Sequence, residues 1–520
     1  MSVRFITAQE VPNLIKDNDI IGIEGFIGAG VAEEIYEEIG NCFDNNQSPK
    51  NLTLLYSAGI GDGANRGINL IAKEKLLKRV IAGHWGLSPK LQPLVSENKI
   101  EAYNFPQGVL AQMFREIASG KDFLFSTVGL GTFVDPDISG GKLNSITSEN
   151  LVEKVTFHGK EMLAYSLVKP NVAILRGTYA DEKGNISFDE EVLTLGATSL
   201  ATAVKNNGGI VIVQVKKKVT NGSLNPKLVK IPGLLVDYVV ECLEEKNHMQ
   251  TYATTYNSDF IHSNPVQSTD IKTTILDERK IIARRSALLI PKEAKIINYG
   301  IGVPEVISSV LKEEGINDRY TTTIEPGSFG GIPQGGMDFG ATIAPDAIID
   351  QAYMFDFYDG GGIDIAFLGL AECDKNGDIN VSKFGHKIAG CGGFINITQN
   401  TKNIVFCGTF TAGGLKTKIN NEQLLIYNEG KKSKFVDTVE QITFSGKTAL
   451  KNEQNVYYVT ERAVFKLINE GVELIEIAPG IDIQKDILSK MSFEPIISKN
   501  LKIMPSAIFK EDKMNLKSFL

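Results

Sequence analysis

One glutamate, Glu325, stands where a strand-forming run breaks into a glycine loop. Residues 321–340 read Thr-Thr-Thr-Ile-Glu-Pro-Gly-Ser-Phe-Gly-Gly-Ile-Pro-Gln-Gly-Gly-Met-Asp-Phe-Gly. The β-branched run predicts a buried strand. Glu325 would project from its carboxyl end, where open α/β sheets bind ligands. Pro326 disfavours helix at Glu325 and holds it extended. Six glycines and two prolines follow within 325–340, clearing space for a bulky ligand and for backbone N–H groups. The same context suits a carboxylate that caps a turn or pairs with a base, and spacing alone leaves both readings open.

Other chemistries find less support. Gly22-Ile-Glu-Gly-Phe-Ile-Gly-Ala-Gly30 is glycine-rich, but its GxxGxxGxG spacing is not the GxGxxG fingerprint of dinucleotide enzymes. Ser445-Gly-Lys-Thr448 lacks the upstream glycine of a phosphate-binding loop, with Gln441 in its place. No GxSxG elbow is present, so a serine hydrolase triad has no sequence support. The five histidines (84, 158, 248, 262 and 386) show no metal-ligand pairing, and no metal site is predicted. His84-Trp85-Gly86 is a candidate lining of the first half's cleft or a packing feature. The five cysteines are odd in number and scattered, with no CxxC, which argues for buried thiols in a reducing compartment.

The elements that must position Glu325 recur twice. Apolar runs ending in glycine, such as Ile20–Gly25, Asn171–Gly177 and Lys295–Gly300, read as buried parallel strands followed by helices. Gly28-Ala-Gly-Val-Ala-Glu33 reappears as Gly300-Ile-Gly-Val-Pro-Glu305, and Tyr56-Ser-Ala-Gly59 as Ile324-Glu-Pro-Gly327. Ala180–Ser187 matches Cys373–Asn380, and Ile210–Val213 matches Ile404–Cys407. Four matches in one order predict two related, mostly parallel α/β domains. We expect them at 1–245 and 273–520, with a polar linker over 246–272. In this register Ser57 is the counterpart of Glu325, so the scaffold does not itself demand a carboxylate.

The 520 residues exceed one hydrophobic core. A net charge of −8 disfavours non-specific nucleic-acid binding. The N-terminus lacks a signal pattern and no run is apolar enough for a membrane span. A cytoplasmic, unanchored protein is expected.

Ile324-Glu-Pro-Gly-Ser-Phe-Gly-Gly-Ile-Pro, Gly300-Ile-Gly-Val-Pro and Gly390-Cys-Gly-Gly-Phe-Ile-Asn396, with Val459–Phe465 and Ala478–Asp482, resemble family I CoA-transferases over essentially the whole chain. The fused acetate/propionate type is the nearest likeness. The resemblance implies that Glu325 is a nucleophile forming acyl-anhydride and then glutamyl-CoA intermediates. It implies that Gly300, Ile301, Gly302, Val303 and Pro304 contact CoA. Gly392, Gly393 and Gln107 would serve the oxyanion and acyl site, and Gly25, Phe26 and Gly28 the acyl pocket. One departure is Glu24, where the family has consecutive glycines before phenylalanine. No permanently bound cofactor is implied; CoA, acyl-CoA and small carboxylic acids are the expected substrates, and a homodimer or homotetramer the expected assembly. An acyl-CoA hydrolase or a non-catalytic acyl-CoA binder on the same scaffold is the alternative.

Overall fold

The apolar runs that end in glycine form parallel strands. The structure, a computed structural model, describes residues 3–263 and 275–519. In the N-terminal half the strands are β1 (Arg4–Ile6), β2 (Ile20–Ile23), β3 (Leu52–Tyr56), β4 (Leu77–Ala82), β5 (Glu101–Asn104), β6 (Val172–Ala180), β7 (Ile210–Lys218) and β8 (Tyr238–Glu241). Their order in the sheet is β1-β8-β7-β6-β2-β3-β4-β5, and every neighbouring pair is parallel. Chain direction across the sheet therefore reverses between β2 and β6, the place where ligands bind in such sheets.

Alternation along the strands feeds two cores. Leu55 on β3 joins Val109, Leu110 and Phe114 of helix α2 (Gln107–Ala118) and Leu200 of α3 (Ala197–Asn206). Leu54 and Tyr56 face the other way, with Ile35 and Tyr36 of α1 (Glu33–Asn46) and the fully buried Trp85. A sheet covered on both faces explains strands that read as continuous apolar runs.

The chain divides into two compact units. One comprises residues Met1–Pro265, Ile324–Asp356 and Phe384–Asn396, the other the remainder. This differs from a division at 246–272. The loop carrying Glu325 and the Gly390–Gly393 loop pack with the N-terminal half, although they lie in the C-terminal repeat. Nor is the described part of the expected linker loose. The Tyr252 hydroxyl donates to Glu33 at 2.7 Å, Gln250 donates to the Glu190 carbonyl at 2.9 Å, and Phe260 is buried. Residues 264–272 of that segment lie outside the described residues.

The second unit repeats the plan with strands β9 (Ile296–Tyr299), β10 (Thr321–Ile324), β11 (Ile365–Gly369), β12 (Asn403–Cys407), β13 (Asn455–Val459), β14 (Ala463–Ile468), β15 (Gly471–Ile477) and β16 (Ile496–Ile503). The order is β10-β9-β11-β12-β13-β14-β15-β16, parallel except at β13-β14-β15. The core β10-β9-β11 matches β3-β2-β6, as the repeat requires. Asp181 and Asp374, equivalent in the repeat, each close a turn by accepting from backbone N–H groups two and four residues on.

Arg176 and Glu191 form a buried ion pair at 3.1 Å. Burial alone would raise the Glu191 pKa, yet the Arg176 and His248 side chains hold it down to about 2. Glu191→Leu strands the Arg176 charge in the interior, which typically costs about 3–5 kcal/mol. Thermal unfolding should show a large loss for this variant and recovery of most of it in the Arg176→Met/Glu191→Leu double variant. Equal stability of the single variant and the parent would exclude this account.

Candidate active site

Strand β10 stops at Ile324, and Glu325 opens a tight turn closed by the Gly327 N–H donating to the Ile324 carbonyl at 3.0 Å. The regular strand ends one residue before Glu325, and the chain turns there into the pairing of Ser328–Phe329 with Ala347–Ile348. Gly327 sits at φ +130°, and a Cβ there would lie 2.0 Å from the Ile349 carbonyl oxygen. Only glycine makes this turn.

The Glu325 side chain lies over Gly393. A Cβ on Gly393 would come within 2.9 Å of Glu325 Cγ and 3.4 Å of the Phe355 ring. The absence of a side chain at Gly393 is what leaves room for the Glu325 side chain there. Burial pushes the Glu325 pKa up to about 7.

The loop is held from below by strands β4 and β5. Asn104, at the end of β5, donates to the carbonyls of Ala82 (2.8 Å) and Gly83 (2.6 Å) and accepts from the Cys391 N–H at 2.9 Å. The Gly392 N–H donates to the Gly83 carbonyl (2.8 Å), and the Gly392 carbonyl accepts from Gln107 N–H (2.9 Å). Asn396 accepts from the Gly108 N–H at 3.0 Å. The Gly392 N–H is therefore engaged by the scaffold, whereas both glycines were expected to serve the oxyanion. Among the described residues the Gly393 N–H has no protein partner.

Gln107, at the start of α2, brings its Oε1 within 3.7 Å of where a Gly392 Cβ would be. Its Nε2, although buried, has no partner. Gln107, Gly392, Gly393 and Glu325 thus come together. His84 packs against Gly390 and Gly86, and burial lowers its pKa to about 4, so its ring is neutral near pH 7.

The residues expected to form the acyl pocket lie together in the loop after β2. Phe26 meets Phe339 at a ring-centroid distance of 5.6 Å, at the far end of the glycine loop. Gly25 packs on Val31 and Ile60, and Gly28 lies beneath the Tyr252 ring. The Gly300–Pro304 loop belongs to the other unit. It follows β9 at that sheet's own direction reversal, its Gly300 N–H donating to the Phe367 carbonyl at 2.8 Å, Ile301 exposed, and helix Glu305–Glu313 beginning behind it. Among the described residues no group of three His, Cys, Asp or Glu could hold a metal, and no helix is long and apolar enough to cross a membrane.

Residues 5–242 match the family model described as coenzyme A transferase. The chain is 44% identical over 510 residues to the acetate CoA-transferase YdiF of Escherichia coli K12, covering 98% of this chain and 95% of that one. It is 45% identical over 513 residues to the caffeate CoA-transferase of Acetobacterium woodii, covering 98% of each. This chain belongs to the family I CoA-transferases, of the fused acetate type. The crystal structure of the YdiF apoenzyme from E. coli O157:H7 superimposes with a TM-score of 0.93 at 42% identity, over 99% of this chain and 97% of that one. A YdiF structure described as a thioester complex with CoA matches at 0.92.

Within this CoA-transferase, sequence reasoning gave no role of their own to Asn104, Gly83 and Asn396. Their only signal was proximity to segments already singled out: Asn104 precedes Phe105-Pro-Gln107, and Gly83 precedes His84-Trp85.

A carboxyl whose folded pKa is raised destabilises the fold once pH climbs above its unfolded value. The stability present below about 4.5, the ordinary glutamate pKa, is lost as pH rises through about 7. Glu325→Gln removes that titration. Its melting temperature should equal the parent's near pH 4.5 and exceed it at pH 8; a pH-independent difference would contradict a raised Glu325 pKa.

Proposed function

We propose that this CoA-transferase moves CoA between short-chain carboxylic acids of the acetate/propionate type by a ping-pong route through a glutamyl-CoA thioester on Glu325. The observation that carries the reading is the seating of Glu325 Cγ against Gly393, beside the unpartnered Gln107 amide. The name of the YdiF relative supports acetate as a substrate, and the thioester complex with CoA described for YdiF supports a covalent CoA intermediate.

In this route the Glu325 carboxylate attacks the acyl-CoA carbonyl carbon. A C–O bond forms and the carbonyl oxygen becomes an oxyanion. The Gly393 N–H and Gln107 Nε2 are the donors for it, and such a preorganised donor is worth roughly 3–4 kcal/mol. The C–S bond then breaks and CoA leaves as thiolate, giving an acyl-glutamyl anhydride. The thiolate attacks the glutamyl carbonyl carbon, releasing the first acid as carboxylate and leaving glutamyl-CoA. A second carboxylate reverses these steps. No proton or electron is consumed, so neither metal nor redox group is required.

A carboxylate with its pKa near 7 is more basic than an ordinary glutamate, which favours attack once it is ionised. Its half-buried position also limits the access of water to the anhydride. The Gly300–Pro304 turn, with a helix start behind it, would receive CoA, as loops before helix N-termini receive anionic groups.

Incubation with acetyl-CoA, proteolysis and mass spectrometry should place a CoA-sized adduct on the peptide containing Glu325. Glu325→Ala should lose the adduct and at least a thousandfold in kcat, and Gln107→Ala about a hundredfold. The parent's kcat/KM should rise with pH through about 7 and then level, as the carboxylate ionises. A fully active Glu325→Ala enzyme would rule out the covalent route. Thioester loss at the same rate with and without added acetate would point to a hydrolase.

A further inference from the structure

His84 stands just past the carboxyl end of β4, and the exchange mechanism does not use it. Its main chain is clamped on both sides. The preceding Gly83 carbonyl accepts from the Gly392 N–H and from Asn104, and the following Trp85 N–H donates to the Ala389 carbonyl at 2.8 Å. The ring lies among three glycines. A Cβ on Gly59 would meet Nδ1 at 2.6 Å, and one on Gly86 would lie 3.5 Å from Nε2. One on Gly392 would lie 3.8 Å from Cδ2 and 3.7 Å from Gln107 Oε1. Glu325 Cγ rests against the next residue, Gly393. The imidazole therefore borders the loop and the amide that serve the reaction.

Neither ring nitrogen is satisfied. Nδ1 is buried without a hydrogen-bond partner. Among the described residues Nε2 has no partner either and, unlike Nδ1, it reaches solvent. An N–H orphaned in the interior is the costlier vacancy, so the proton belongs on Nε2 and the bare lone pair on Nδ1. With its pKa lowered to about 4 by burial, the ring is neutral near pH 7 and offers one donor. The exchange has a use for one. When a second acid enters, one carboxylate oxygen attacks the glutamyl-CoA carbonyl carbon, and the Gly393 N–H and Gln107 Nε2 are engaged by the oxyanion. The acid's other oxygen needs a donor of its own.

We propose that His84 is a further substrate-contacting residue, its Nε2–H donating to the non-attacking carboxylate oxygen of the acceptor acid. The proposal rests on the exchange reading above, whose acceptor it holds. The new C–O bond forms, the C–S bond breaks and CoA leaves as thiolate, while the His84 proton stays on Nε2. A neutral donor suits this task, because an imidazolium would pair with the carboxylate and draw off the charge that makes it a nucleophile. The rival role is structural, a ring that fills the space between Gly59, Gly86 and Gly392.

The test starts from enzyme loaded with CoA by acetyl-CoA and then freed of acetate. Discharge of the Glu325 thioester is followed with acetate and, separately, with hydroxylamine, which attacks the same carbon but has no second carboxylate oxygen. His84→Ala should lose at least tenfold in discharge by subsaturating acetate and stay within threefold for hydroxylamine. His84→Gln, whose amide reaches the Nε2 position, should keep acetate discharge within threefold of the parent. His84→Asn, whose amide reaches only the Nδ1 position, should behave as His84→Ala and replaces it if the alanine variant does not fold. An unchanged acetate rate in these two variants overturns the proposal, as does failure of His84→Gln to recover it. An equal loss with hydroxylamine assigns the ring its structural role instead. These outcomes defeat only the His84 assignment, whereas no CoA adduct on the parent's Glu325 peptide defeats the covalent reading itself.

Discussion

The Gly392 N–H can be given once, and it is given to the carbonyl of Gly83. With Asn104 bridging Ala82, Gly83 and Cys391, that bond fixes the Gly390–Gly393 loop to the ends of β4 and β5. Everything reactive is referenced to this clamp. It sets the height of Gly393, against which Glu325 rests, and it positions the first turn of α2, from which Gln107 reaches the same place. A polar side chain buried with all its bonds made gives a loop one arrangement where a glycine-rich backbone would otherwise sample many. The glycines supply access and Asn104 supplies rigidity.

The groups left unsatisfied stand in contrast to that economy. Glu24, Gln107 and Gln351 are buried yet keep polar atoms without partners, which ordinarily costs stability. Among the described residues such atoms occur in both halves, and Gln107 is the one of them that stands beside Glu325 and Gly393. At Gln107 a ligand could relieve that cost, a common trade between stability and activity.

The α/β class, the parallel strands and the two-fold repeat were legible because they are written in local pattern: apolar runs, terminal glycines and segments recurring in order. Glu325 was legible for a related reason, being the one charged residue between a β-branched strand and a glycine loop. What local pattern could not show was assembly. The repeat suggested that each half packs with itself, whereas residues Ile324–Asp356 and Phe384–Asn396 pack with the first half. Side-chain hydrogen bonds such as Asn104 to Cys391 span 287 positions, and no periodicity reports a partner that distant. For the same reason the Gly392 N–H looked as available as that of Gly393 until its acceptor was in view.

That interleaving bears on how the protein comes into being. A nascent chain that has emerged only as far as β8 already holds the eight strands of the first sheet and much of both cores. It lacks Glu325, and until Asn396 has been synthesised it also lacks the loop that Asn104 and Gly83 hold. The ends of β4 and β5 must wait, their hydrogen-bonding groups turned to solvent, while some 150 further residues are made. Long-range contacts of this kind form late and slowly. Catalytic competence therefore arrives in this polypeptide near the close of translation, well after its first sheet can fold.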